Sequence, residues 1–278
     1  MNKSVVFAIA VIAVSTSAHA ADLAYKIPSP AAAPVTDHWS GFYLGGNVGA
    51  AWSDTHATPG SFVRQGPGGG IDFPGRQAVG QFPGFNVGAV GATGGFQVGY
   101  NRQFAPNWVA GLEADLAATD LNKTDTRVFP ETHFIDFPLS PIEANTESAT
   151  QKLKWLGTVR GRLGFTTLDN RLLTYATGGL AYGKIRDSAY TIGVPDGAGT
   201  AMVGASADGV RVGWSVGGGM EYALANNWSA KLEYLYYDLG SRTLTLDYGS
   251  VPGDAGNKIN YRFRDTGNLV RVGLNYRF

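Results

Sequence analysis

The chain has no cysteine, which removes disulfides and thiolate chemistry; that suits an exported protein without cross-links and equally suits many cytosolic ones. It has no surplus of either charge, since 22 Lys and Arg stand against 22 Asp and Glu, and nucleic acid as a partner is excluded for want of a basic footprint. It also lacks an apolar run long enough to cross a bilayer as a helix, which takes about 20 residues. The stretch from Val5 to Val14 holds ten. No apolar pattern of helical period is present, and the four histidines have no metal-ligand spacing.

What the chain does have is glycine and aromatic rings: 39 Gly, with 6 Trp, 13 Tyr and 14 Phe. Turns, close-packed strands and aromatic bands use such residues, so this is a β composition.

The amino terminus gives an address. Lys3, the apolar stretch after it and Ala18-His19-Ala20 form the positive, hydrophobic and small-x-small parts of a signal peptide, read as residues 1–20 with cleavage after Ala20. Residues 21–38 carry Pro28, Pro30 and Pro34 among alanines and read as a periplasmic linker. Residues 39–278 remain as one β domain.

Within that domain the residues alternate with period two. Phe42, Leu44 and Val48 oppose Tyr43, Gly45 and Asn47; Trp108, Leu112 and Ala114 oppose Gly111, Glu113 and Asp115. Trp155, Val159, Leu163 and Phe165 oppose Thr158, Arg160 and Arg162, and Val212, Trp214, Val216 and Met220 oppose Arg211, Ser215 and Glu221. Leu232, Tyr234 and Tyr236 oppose Lys231 and Glu233, and the chain ends with Val270, Val272, Leu274, Tyr276 and Phe278 opposite Arg271, Asn275 and Arg277. The run from Leu172 to Lys184 does not declare its faces. Tight turns at 105–107, 168–170 and 225–227 alternate with long links at roughly 53–93, 117–151, 187–208 and 241–266.

Alternation by itself fits any half-buried antiparallel strand, including those of a soluble barrel that binds a ligand inside. Spanning-length runs of about 9 to 11 residues, aromatic residues near strand ends and a terminal strand reaching Phe278 favour the membrane. The expected fold is therefore all-β: an eight-stranded antiparallel transmembrane β-barrel with short periplasmic turns and long extracellular loops. A barrel of eight strands is filled by its own side chains. Charges inside it must pair, so Glu113, Asp115, Glu221 and Glu233 are expected to meet Arg160, Arg162, Arg211, Lys231 and Arg271 in the lumen.

Four segments carry a resemblance: Trp39 to Asn47, Gly94 to Asn101, Trp228 to Leu239, and Val270 to Phe278. Together they make the chain similar to the small porin-family outer-membrane immunogenic proteins, relatives of the opacity-type eight-stranded barrels. The resemblance implies a surface-exposed protein of the Gram-negative outer membrane that contributes to envelope integrity, in contact with outer-membrane lipids and lipopolysaccharide. It also implies insertion by the barrel-assembly machinery, with Tyr276 and Phe278 as the terminal aromatic signal. Some relatives bind haem or act as weak porins; no motif carries that over, so no cofactor is expected, and host or small-molecule ligands would belong to the loops.

Other motifs have plainer readings. His56 and His133, the candidate haem ligands, read as solvated loop histidines. Gly178 to Lys184 resembles a phosphate-binding loop, but Ile185 replaces the metal-binding hydroxyl and the glycines lie in a strand pattern. Gly66 to Gly70 reads as a flexible outer loop, and Asn227-Trp228-Ser229 is a glycosylation triplet that a periplasmic turn would not use. His133 with Asp136 and Ser140 is the one combination open to an enzymatic reading. A triad is defined by geometry, which sequence proximity does not supply, and the chain is expected not to be an enzyme.

Overall fold

The computed structural model describes residues 39–66, 69–71, 84–130, 144–193, 201–225, 227–247 and 258–278. The expected signal peptide (1–20) and expected linker (21–38) lie outside these residues, as do His133, Asp136 and Ser140. Among the described residues eleven strands follow one another: β1 (Gly41–Ser53), β2 (His56–Gly66), β3 (Gly69–Ile71), β4 (Phe85–Asn86), β5 (Val90–Ala105), β6 (Trp108–Pro130), β7 (Ala144–Thr167), β8 (Leu172–Gly193), β9 (Ala201–Ala223), β10 (Trp228–Asp247) and β11 (Lys258–Arg277).

Eight of them, β1 and β5 to β11, pair antiparallel in sequence order, and β1 pairs with β11 to close the ring. Closure runs from Tyr43 opposite Arg277 to Ser53 opposite Gly267. Every backbone group along that seam gains a partner and no sheet edge faces lipid. At the turn after β7, Leu168, Asp169 and Asn170 all take positive φ, as does Asn227 before β10. Asn and Asp tolerate this conformation, which lets the chain reverse within a few residues.

The strands alternate as the sequence does. Phe42, Leu112, Val159, Val216, Leu232 and Val272 face outward and are exposed, while the charged residues between them are buried. Aromatic pairs mark two levels. Phe42–Tyr100, Trp108–Phe165 and Trp228–Tyr276 stack near the short turns; Trp155–Tyr182 and Trp214–Tyr236 stack farther outward. At about 3.3 Å per residue and about 40° of tilt, the separation from Trp228 to Tyr236 or from Trp155 to Phe165 is roughly 20 to 25 Å, which fits the height of an outer-membrane apolar band. The undeclared run resolves as Leu173, Tyr175 and Thr177 inward and Thr174, Ala176, Gly178 and Leu180 outward. Its lipid face is built from small residues, so its hydropathy contrast is weak.

Most of what reads as link in the sequence is strand. β6 runs on to Pro130, β7 starts at Ala144, β8 ends at Gly193, β9 starts at Ala201 and β11 starts at Lys258. Beyond the outer girdle β2 takes over from β1 as the neighbour of β11, with Arg264 opposite His56. Within this outward half most of the interior is apolar, with Phe85, Val87, Leu244, Leu246, Ile259, Tyr261 and Phe263 in one buried cluster and a few polar groups such as Glu147 and Asp265 buried beside it. The barrel thus largely inverts its polarity, with an ion-pair network inside where it meets lipid and mostly hydrocarbon inside where it meets water. Pairing of β10 with β9 stops at Asp238 opposite Trp214, and a bulge in β10 follows at Gly240, whose φ of +80° suits glycine.

Candidate functional site

The lumen of the membrane-spanning half is filled by ion pairs to which strands on every side contribute. Arg160 of β7 is the hub. It donates to Glu113 Oε1 at 2.6 Å, Asp115 Oδ2 at 2.9 Å and Glu233 Oε1 at 3.1 Å, and through Nε to Thr158 Oγ1 at 2.7 Å. Arg271 of β11 grips Asp115 with both terminal nitrogens, at 3.1 and 2.9 Å, and donates Nε to Glu233 at 2.7 Å. Lys231 donates to both oxygens of Glu113 at 3.0 Å, and Arg162 joins Glu113 at 3.3 Å to Glu221 at 2.7 Å. Four cations and four carboxylates leave this set neutral, as burial demands.

Neutral groups complete it. The Tyr43 hydroxyl donates to Glu113 at 2.7 Å and that of Tyr175 to Glu233 at 2.9 Å, while the Arg162 guanidinium lies over both rings, at 5.2 and 4.6 Å. Glu221 accepts from Ser229 and Asn275, and Asn275 in turn accepts from Gln97, itself an acceptor for Asn47. A Cβ at Gly99 or Gly219 would strike the ring of Tyr43 or Tyr175. The two glycines are what let those rings lie flat against the wall.

Eight of the nine residues expected in this network are in it, and Arg211 is not. It stands outward of Trp214 on β9, too high to reach the others, and instead makes an ion pair with Asp265 of β11, with Asp187 of β8 at 4.0 Å. The Gln151 amide donates to both aspartates. Lying outward of the girdle, this cluster has two acids for one ion-paired cation, with Arg242 close enough to act on Asp187; burial and the charge of Asp187 push Asp265 up to about 7 against the pull of Arg211, and burial raises Asp187 against the pull of Gln151 and both arginines. Periodicity identifies a face but not a height, which is why Arg211 looked like one of the lumen set. Tyr43 and Gln97 carry the same inward parity and could have been added on that ground, whereas Tyr175 lay in the undeclared strand.

Three further layers fill the interior. Trp39 closes the end near the short turns, packed with Val109, Leu173 and Ala223, and donates its indole N–H to Asn170 O at 2.7 Å. Leu121, Leu153, Ile185, Leu235 and Leu269 form an apolar layer beyond the ion pairs, and the Phe263 cluster a second one still farther out. Tyr276 packs on Trp228 and on the exposed terminal Phe278. His56 is exposed on β2.

Residues 6–278 match the model of the outer membrane protein beta-barrel domain. The chain belongs to that family. It is similar over its whole length to the 31 kDa outer-membrane immunogenic protein of Brucella melitensis biotype 1, with 38% identity over 99% of this chain and 100% of that protein. A 22 kDa outer membrane protein of Rhizobium leguminosarum bv. viciae is 29% identical over 86% of this chain and 78% of its own length. Among solved structures, OprG from Pseudomonas aeruginosa covers 87% of the chain at 11% identity, with 98% of that chain matched and a TM-score of 0.44. Membership in this β-barrel family places the protein in the outer membrane.

Proposed function

We propose that the protein is a closed, load-carrying element of the outer membrane, contributing to envelope integrity and presenting its outward half at the cell surface, with at most a narrow solute path. The buried ion-pair plug carries this reading: the side chains of Arg160 and Glu233 are both 0% exposed. A lumen crossed by neutral, hydrogen-bonded ion pairs and bounded by apolar layers offers water no wide column. The relatives named as immunogenic support surface presentation.

Conductance tests it. In a planar bilayer the protein is expected to show no wide-pore conductance, and the double variant Arg160→Ala, Arg271→Ala is expected to admit current. Unpairing the buried acids costs about 3 to 5 kcal/mol per broken pair, so the variant needs folding confirmed by its heat-modifiable mobility on a gel. Wide-pore conductance of the unmodified protein sinks the reading.

A further inference from the structure

One sector of the outer wall differs in charge from the rest. Just outward of the Trp155–Tyr182 pair, Lys152 and Lys154 of β7 and Lys184 and Arg186 of β8 project from the wall. Lys152 stands directly opposite Arg186 in the ladder, and Lys184 opposite Trp155. Only Asp208 of β9 answers them, 3.7 Å from Lys154 and 3.5 Å from Lys184. Among the described residues no ion pair forms at Lys152 or Arg186: Asp208 faces Arg186 across the β8–β9 ladder but turns to Lys154 and Lys184, and the exposed Asp120 of β6 pairs with none of the four, so one acid stands against four cations. Like charges directly opposite one another weaken a ladder, and an anion from outside would reverse that cost. Elsewhere around the wall, Arg264 is neutralised by Asp238 at 2.9 Å and Lys258 by Asp247 at 2.8 Å, while the exposed Arg262 bonds to Ser241 and faces the neutral Thr243 and Thr58 rather than a second cation.

A second feature lies on the same two strands, below the aromatic pair. Gly161 and Leu163 of β7 with Ala176 and Gly178 of β8 line a shallow groove on the lipid face, with Gly111 and the inward-facing Arg162 and Thr177 completing its lining. Outward along this strand pair the order is a shallow groove whose outward-facing side chains are small or apolar, a ring pair at the interface and four cations at headgroup height. That is the order of parts in a membrane lipid: acyl chain, glycerol or sugar, phosphate.

We propose that Lys152, Lys154, Lys184 and Arg186 hold the phosphate groups of an anionic glycolipid of the outer leaflet, one of whose acyl chains lies in the groove at Gly161 and Gly178. Cations at a membrane surface attract anionic headgroups electrostatically, and the aromatic pair fixes their height. This deepens the reading of the protein as a structural element of the membrane, yet the two fail separately, since conductance reports the lumen and lipid binding reports the wall.

The test is native mass spectrometry of the folded protein in detergent, titrated with bisphosphorylated lipid A, with the same lipid stripped of phosphate, and with inorganic phosphate as competitor. The phosphorylated lipid is expected to bind, and the stripped lipid to lose most of that affinity. The double variant Lys152→Gln, Arg186→Gln is expected to weaken binding by about 25-fold, at about fivefold per cation. Asp208→Asn removes the competing acid and is expected to tighten it, which keeps the test decisive if the double variant folds poorly. Arg264→Gln, in another sector, is expected to change nothing. Equal binding by the stripped lipid, full displacement by inorganic phosphate, or unchanged affinity in both Lys152→Gln, Arg186→Gln and Asp208→Asn overturns the proposal.

Discussion

Glu147 lies on β7 well outward of both aromatic girdles, 3% exposed, and accepts one hydrogen bond, from the Tyr261 hydroxyl at 3.0 Å. Arg127 stands opposite it in the ladder but turns to Asp125 at 3.1 Å, and Thr191 on the other side is neutral. Burial therefore pushes the Glu147 carboxyl up to about 6 from its ordinary 4.5, with only the Tyr261 bond opposing it. A folded-state value above the unfolded one means that folding takes up a proton. The resulting stability is present below about 4.5 and is lost as pH rises through about 6. Asp265, raised to about 7, acts in the same direction. Glu147→Gln keeps an acceptor for Tyr261 and removes the titration, so urea unfolding of the detergent-folded protein should be about 1 to 2 kcal/mol less sensitive to a change from pH 5 to pH 8 than in the parent. An unaltered pH slope would show that Glu147 is charged at no cost where it stands.

The strand β11 shows what the sequence discloses at the level of an element, and what it conceals. In its second half Val270, Val272, Leu274 and Tyr276 face lipid and Arg271 and Asn275 face the lumen, as alternation predicts. In its first half the odd-numbered positions still point inward, but there they are Ile259, Tyr261 and Phe263, while Asn260, Arg262 and Arg264 face water. The period continues unbroken and only its meaning inverts, so a search for greasy outward faces ends the strand too early. β10 adds a second obstacle, because its bulge at Gly240 shifts the parity between Leu235 and Leu244. Register across the lumen is not in the alternation either, which is why the partners of Arg160 were legible as a set and the place of Arg211 was not. The lipid face itself is testable. Val216 on β9 and Leu232 on β10 are about half exposed in the middle of the apolar band, so Val216→Arg or Leu232→Arg should each cost roughly 2 to 4 kcal/mol on folding into lipid vesicles. A charge at Lys152, level with the headgroups, costs nothing comparable, and equal effects from new arginines in the band and above the girdle would refute the placement of that band.

For the whole molecule, the inversion of polarity joins two halves stabilised by different solvents. The half in lipid is held by its closed ladder and by ion pairs that a neutral, densely hydrogen-bonded set makes tolerable in that setting. The outward half buries hydrocarbon as a water-soluble β protein does, through the cluster of Phe85, Tyr261, Phe263, Leu244 and Leu246. Phe263 is 0% exposed at the middle of that cluster, and Phe263→Ala should remove about 3 to 5 kcal/mol from it. Because β9 and β10 no longer pair above Trp214 and Asp238, the outward half has a seam at which it can open while the ladder below stays closed. Limited proteolysis of Phe263→Ala in detergent is therefore expected to cut within the outward segments and leave a core that still shifts in mobility on boiling. Loss of that shift together with the outward segments would mean that the two halves unfold as one unit, with the apolar cap sustaining the barrel beneath it.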